Sequence, residues 1–206
     1  QIITGKALGG ILALTTLVFA GLAASLGFLL VDGIVPDMDA LVSILLFALA
    51  TVAFLAFFFS LALTISTVVP RTGKAFLYAL VVLFIFTALV PTASAVAKDV
   101  VVGAHPLPGA SPAERGDYQA RLGLLESVAT VFSPQWNYEL VAKSVLEPRL
   151  TSYSFIEGSI TYLPYDETAR PTDALARFWQ NVLVLFTAPF VLFGIAYIAF
   201  QRMDVR

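Results

Sequence analysis

The sequence contains no cysteine and one histidine, and only 13% of its 206 residues are charged. Without cysteine there are no disulfides, no Cys-ligated zinc, no iron–sulfur cluster and no thiol chemistry. His105 sits in a proline-rich loop, His105-Pro106-Leu107-Pro108-Gly109. A lone imidazole with neither cysteine nor a clustered acid beside it does not make a metal site. Nucleophile-elbow and Ser-x-x-Lys patterns are missing too, so no catalytic constellation is expected. Gly5-Lys6 and Gly73-Lys74 lack the upstream glycine and the following Ser or Thr of a phosphate-binding loop, and read as turn and interface residues. The acids, Asp166-Glu167 among them, come without a D-x-D-x-D-G loop and read as a solvated face rather than a calcium site. No nucleic-acid partner is expected.

What the chain does have is apolar length. Hydrophobic residues make up 59% of it and the mean hydropathy is +0.88. Four stretches, Ala7–Val31, Ala40–Val69, Ala75–Ala97 and Phe178–Gln201, hold no Asp, Glu, Lys, Arg or His. A bilayer core of roughly 30 Å needs about 20 apolar residues at helical rise, and backbone amides in lipid must be satisfied within the segment. The fold class predicted is therefore an all-α integral membrane protein with four transmembrane helices. The absence of ionisable groups within the spans disfavours an ion-coupled transporter or a voltage sensor.

The charges between the runs are sorted. Lys6, Arg71, Lys74, Arg202 and Arg206 flank one set of ends against Asp204, a net of +4. The other side, Asp32, Asp37 and Asp39 with the segment Lys98–Arg177, carries seven basic and thirteen acidic residues, a net of −6. The bias of basic residues toward the cytoplasm predicts a multi-pass protein of the cell membrane with both ends of this sequence cytoplasmic. Three regions follow: residues 1–97 with three spans, an extracytoplasmic segment 98–177, and 178–206 with the last span and its tail. The first run is too long for a signal-peptide core, and since the sequence begins at Gln1 rather than Met, upstream residues are expected.

Local signals refine this. Gly9, Gly10, Gly21 and Gly27 give the first run a small-residue texture that either permits close helix approach or reflects ordinary tolerance of glycine in membranes. Pro91 predicts a kink near the distal end of the third run, as an outer hinge or as a simple bend. Ser111-Pro112-Ala113-Glu114 is a capping-box helix start, with the helix running to about Val131. Ser133-Pro134 opens a second, amphipathic helix that Pro148 ends. Thr151–Tyr165 suggests a short strand pair, and a further helix start is expected near Thr172. Trp136 and Trp179 are candidate interface anchors, Trp136 with the alternative of packing on the membrane helices.

Several segments resemble one family. Ile3-Thr4-Gly5-Lys6-Ala7, leading into a Gly/Ala-rich helix, is similar to the opening of the third membrane helix in permease subunits of type-2 ABC exporters, the group that includes the nitrous-oxide-reductase maturation permease. Phe57–Ser66 resembles the end of that family's fourth helix, Phe132-Ser133-Pro134-Gln135-Trp136-Asn137-Tyr138 its outer proline–aromatic segment, and Ala196–Arg206 its last helix and basic end. The resemblance implies that this sequence corresponds to helices three to six of a six-helix permease, with the first two and most of the coupling helix upstream of Gln1. It implies transport driven by a separate ABC ATPase subunit that binds ATP and magnesium, no cofactor on this chain, and a second permease copy or related permease as partner. Lys6, Arg71 and Lys74 are then candidates for contact with the ATPase or with membrane lipid phosphate. A non-transporting anchor or assembly subunit, docking through Lys98–Arg177, is the competing reading.

Overall fold

The computed structural model describes residues 2–107, 109–154, 156–157, 160–162 and 168–204. Asp166, Glu167 and Arg206, used above to apportion charge, lie outside the described residues, as does the end of the expected strand region at 163–165.

Among the described residues, four helices are long and apolar enough to cross a membrane. The first, α1, is Ile2–Val31 and the second, α2, Met38–Val68. Gly33, with φ +77°, lets α1 end abruptly: its N–H bonds Leu30 O at 3.1 Å while Ile34 N bonds Leu29 O at 2.9 Å. These paired bonds satisfy the last carbonyls of the helix, a closure that needs the left-handed conformation glycine adopts without strain. Asp37 then caps α2 by accepting the Ala40 N–H at 2.7 Å. After the Val69–Arg71 turn the third crossing is built from α3 (Thr72–Phe84), a π-helical turn (Ile85–Leu89) and α4 (Val90–Val101). The predicted disturbance at Pro91 takes this form. A proline ring crowds the carbonyl four residues earlier, here that of Thr87, and the chain relieves this by widening one turn, with Val90 N–H reaching back to Ile85 O. This crossing continues past Ala97 to Val101, taking in Lys98 and Asp99.

The segment before the last crossing is largely helical. Helix α5 (Pro112–Phe132) starts with the expected box: Ser111 Oγ accepts the Glu114 N–H at 3.3 Å and the Glu114 carboxylate accepts the Ser111 N–H at 2.8 Å. The Ser111 N–H and the Ser111 hydroxyl, which donates to the same carboxylate at 2.9 Å, hold the Glu114 carboxyl below the usual range, the backbone bond first. Ser133 separates α5 from α6 (Pro134–Leu146). Strands β1 (Leu150–Tyr153) and β2 (Ile160–Tyr162) pair antiparallel with a bulge between Leu150 and Ser152. Helix α7 (Pro171–Arg177) begins one residue earlier than Thr172, with the Asp173 carboxylate accepting the Arg170 N–H. The fourth crossing, α8, is Trp179–Asp204.

Helix α2 is the hub, packing most extensively on α8 and also on α1, α3 and α6. One core cluster joins Ala50 and Ala53 of α2, Val141 and Val145 of α6, and Leu185 of α8. A second joins Val102, Tyr118 and Leu122, covered by Leu125 and Ile156, and ties the end of α4 to α5. Helix α1 contributes little to either: its apolar window has no buried residue.

Candidate functional site

Four alternating crossings put Lys6, Arg71, Lys74 and Arg202 at one face of the bundle, where all four are exposed. The α5–α6 hairpin and the strand pair belong to the opposite, distal face. Pro91 is half-buried just beyond the π turn, Trp179 is 57% exposed at the start of α8, and Trp136 is 5% exposed and enclosed by its neighbours.

The hairpin does not lie flat on the distal face. Its tip, Ser133-Pro134, sits beside Phe57 of α2, Phe86 of the π turn and Ala188 of α8, which share a small cavity of about 210 Å³ with Asn137, Val184 and Leu185. Ala188 is nine residues into α8 from Trp179, or about 14 Å of helix, close to half the thickness of a hydrocarbon core of roughly 30 Å. So α5 descends along α4 and α6 to this depth, and α6 returns packed against α2 and α8. Seven α6 residues are buried: Trp136, Asn137, Leu140, Val141, Ala142, Ser144 and Val145. The amphipathic pattern of α6 was legible in the sequence. That its apolar face meets protein rather than the membrane surface was not, because both surroundings select the same residues.

Polar side chains fasten the tip. Ser133 Oγ accepts the Trp136 N–H at 3.3 Å and caps α6. Asn137, 1% exposed, donates its amide hydrogens to Thr130 O at 2.6 Å and Ser133 O at 3.1 Å, adding a second donor to carbonyls that already accept the Ser133 and Asn137 backbone N–H groups at 3.2 and 3.3 Å. Its Oδ1 accepts from Asn181 Nδ2 of α8 at 2.8 Å. Tyr138 reaches Thr51 of α2 hydroxyl to hydroxyl at 3.1 Å and stacks on Phe54 with centroids 4.5 Å apart. Gln135 donates to Glu139 at 2.9 Å, while its own Oε1 is buried without a partner. Outward along α6, Lys143 lies 3.9 Å from Glu139 and over the Tyr153 ring at 3.6 Å. Hydrogen bonds between membrane helices average about 0.6 kcal/mol each, so the set specifies position more than it supplies stability.

Both helices that flank the tip carry proline. Besides Pro91 beyond the π turn, α8 contains the buried Pro189, which deprives the Leu185 carbonyl of its ordinary donor. Thr64 bridges α2 to α8 nearby, donating to Ser60 O at 2.7 Å and Leu192 O at 3.0 Å. Pro189 signals a weak point in the last crossing that sequence reasoning passed over, although a proline within an apolar run was there to be read.

Above the tip a second cavity of about 380 Å³ opens between α5, α6 and the start of α8, with Glu126, Thr130, Asn137, Tyr153, Gln180 and Asn181 among its walls. At the distal cap, Lys98 lies 3.5 Å from Glu157, which also accepts from the Tyr118 hydroxyl. Burial, then the bond to Glu157 and the nearby negative charge, push the Tyr118 phenol up to about 12. The His105 ring meets Tyr118 edge-on at 5.2 Å. Among the described residues no group of three or more His, Cys, Asp or Glu is arranged to hold a metal ion. The site is a packed, polar-fastened hairpin tip between two proline-bearing crossings.

Comparison with known proteins gives the family. No curated protein and no solved structure matches the chain. The family model described as ABC-2 family transporter protein matches residues 1–205, in keeping with four crossings whose apolar windows hold few charges and with a multi-pass membrane protein. The chain therefore belongs to the ABC-2 transporter family.

Proposed function

We propose that this chain is the permease subunit of an ATP-driven exporter, with ATP and magnesium bound by a separate ABC ATPase subunit and two permeases in each transporter. The exposed basic face is cytoplasmic in this reading, and Lys6, Arg71 and Lys74 meet the ATPase or lipid phosphate there. Within the family, the Ile3–Ala7 and Phe132–Tyr138 segments favour the group of the nitrous-oxide-reductase maturation permease.

The observation that carries the reading is the tip of the α5–α6 hairpin, with α6 behind it, seated between α2, the π turn and α8. An energy source outside the chain is needed, because the crossings hold no ionisable relay at depth. Helix α2 runs from the basic face to the hairpin and touches nearly every other crossing. Tilting α2 against α8 at the basic face would move the two walls that hold the hairpin tip. Pro91 with its π turn and Pro189 are where these walls yield most easily. A packed tip with two alternative seatings, bolted by a few hydrogen bonds of modest strength, has the properties of a gate.

Purification of the full-length protein from native membranes in mild detergent, with mass spectrometry of everything bound, tests this. A stoichiometric ABC ATPase whose ATP hydrolysis depends on the permease is the expected result. Other membrane proteins at stoichiometry with no ATPase would overturn it in favour of an assembly subunit.

A further inference from the structure

We propose that the two chambers on either side of the Asn137–Asn181 hydrogen bond form one binding site for a single-chain amphiphile, its alkyl chain among Phe57, Phe86 and Ala188 and its uncharged, hydroxyl-bearing head beside Glu126, Gln180 and Asn181. As a statement of substrate class this rests on the transport reading; as a statement of binding it does not.

The two chambers are neighbours, because Asn137 and Val184 line both. Their chemistry differs sharply. The deeper one is walled by aromatic and aliphatic side chains, with Asn137 as its single polar side chain. Water needs about two to four polar partners to be held in a cavity, and both Asn137 amide hydrogens are already committed to Thr130 O and Ser133 O. An alkyl chain suits this chamber and water does not. The outer chamber presents hydroxyls, the three amides of Asn137, Gln180 and Asn181, and the Glu126 carboxylate, which accepts from the Ser154 hydroxyl at 2.5 Å, and no Lys or Arg is among its lining residues. Amides donate and accept alike, which matches a hydroxyl-bearing head, and a wall without Lys or Arg has no cation to hold an anionic one. The volumes of about 210 and 380 Å³ together fall within the roughly 300–1,000 Å³ usual for small-molecule sites.

The partition couples occupancy to the hairpin. Asn181 is both a wall of the outer chamber and the donor that holds Asn137. When Asn181 turns to a headgroup it releases the α8 side of the tip, so a bound amphiphile and the seated hairpin compete for one amide.

The test uses the full-length protein in phosphatidylcholine nanodiscs without nucleotide or ATPase, photolysed with an alkyl glucoside bearing a diazirine near the end of its chain. Peptide mapping is expected to place label on the segments containing Phe57, Phe86 and Val184–Ala188. Val184→Trp, which fills the shared wall, and Ala188→Phe, which fills the deeper chamber, should each reduce that label by at least about tenfold, and a sulfate-headed probe of the same chain should label about tenfold less, corresponding to about 1.4 kcal/mol. Either variant alone suffices if the other does not fold. Label confined to outward-facing positions such as Leu12 and Phe190, unchanged in the variants, would overturn the site; equal labelling by the sulfate probe would overturn the head class. Because no nucleotide is present, a negative result counts against this site and leaves ATP-coupled transport standing. Absence of an ATPase in the purification above would leave a positive labelling result standing in turn.

Discussion

Helices α1 and α6 invert the usual relation between hydrophobicity and burial. Helix α1 is apolar for almost its whole length, yet Leu8, Leu12, Leu17 and Phe28 are each about two-thirds exposed or more. Helix α6 carries Gln, Asn, Glu, Lys and Ser within 13 residues, yet Val141 and Val145 are among the most completely buried side chains. In a bilayer an apolar side chain gains little by leaving lipid for protein, because lipid tails are as apolar as leucine. Hydropathy therefore reports which segments cross, and small residues with a few directed hydrogen bonds report which surfaces meet. Ala50, Ala53, Asn137, Ser144 and Asn181 do for α2, α6 and α8 what a run of large hydrophobics does in a water-soluble core.

The largest effect that would sharpen this contrast comes from truncation in the two regions. Leu185→Ala, at the junction of α2, α6 and α8 where the side chain is 2% exposed, should cost about 2–5 kcal/mol, whereas Leu12→Ala on α1 should stay within about 0.5 kcal/mol. Thermal unfolding in detergent measures both, and equal losses would break the comparison. Next comes the polar bolt. Asn137→Ala removes three side-chain hydrogen bonds and leaves the Asn181 amide without its acceptor, while the Thr130 and Ser133 carbonyls keep their backbone donors, at a cost of about 1–3 kcal/mol. Adding Asn181→Ala should cost less than the two single losses combined, by about 0.5 kcal/mol or more.

Helix α1 has one close approach of its own. A Cβ on Gly10 would lie 2.1 Å from the Phe59 ring, so Gly10→Ala should loosen α1 from α2 at a cost of about 1 kcal/mol. Phe59→Leu in the same chain should recover most of it, as read by proteolysis of α1 in nanodiscs. The smallest effect lies at the distal cap. The neutral Tyr118 phenol donates to Glu157, so its contribution is intact below the ordinary phenol value of about 10 and is lost as pH rises through about 12. Absorbance titration near 295 nm should show a late-ionising component that is lost in Tyr118→Phe.

The crossings were legible because apolar length is a property of sequence alone. So were both capping serines, Ser111 and Ser133, whose signal lies within four residues. Pro91 announced a disturbance, but not that it would be a π turn on Ile85–Leu89, since a proline inside a helix is relieved either by a kink or by a widened turn and its position in the sequence does not choose between them. The seat of the hairpin was hidden for a similar reason. Asn137 and Asn181 are 44 residues apart, and their hydrogen bond exists only once α6 has folded back into the bundle. An asparagine on an amphipathic helix carries no mark of whether it will face water, headgroups or another amide. The exposed positions Lys6, Arg71, Lys74 and Trp179 required only that the ends of the apolar runs be found.

The seat of the hairpin is the central claim, and the absence of cysteine from residues 1–206 makes it directly testable once any cysteine elsewhere in the full-length protein is replaced by serine. Thr51→Cys and Tyr138→Cys, placed together in the full-length protein in membranes, should be joined by a short bis-methanethiosulfonate linker, since the parent side chains touch across α2 and α6; each cysteine should also resist a membrane-impermeant thiol reagent. Failure to cross-link, with the cysteine at position 138 reacting at once with the impermeant reagent, would mean that α6 lies on the membrane surface and would contradict the account.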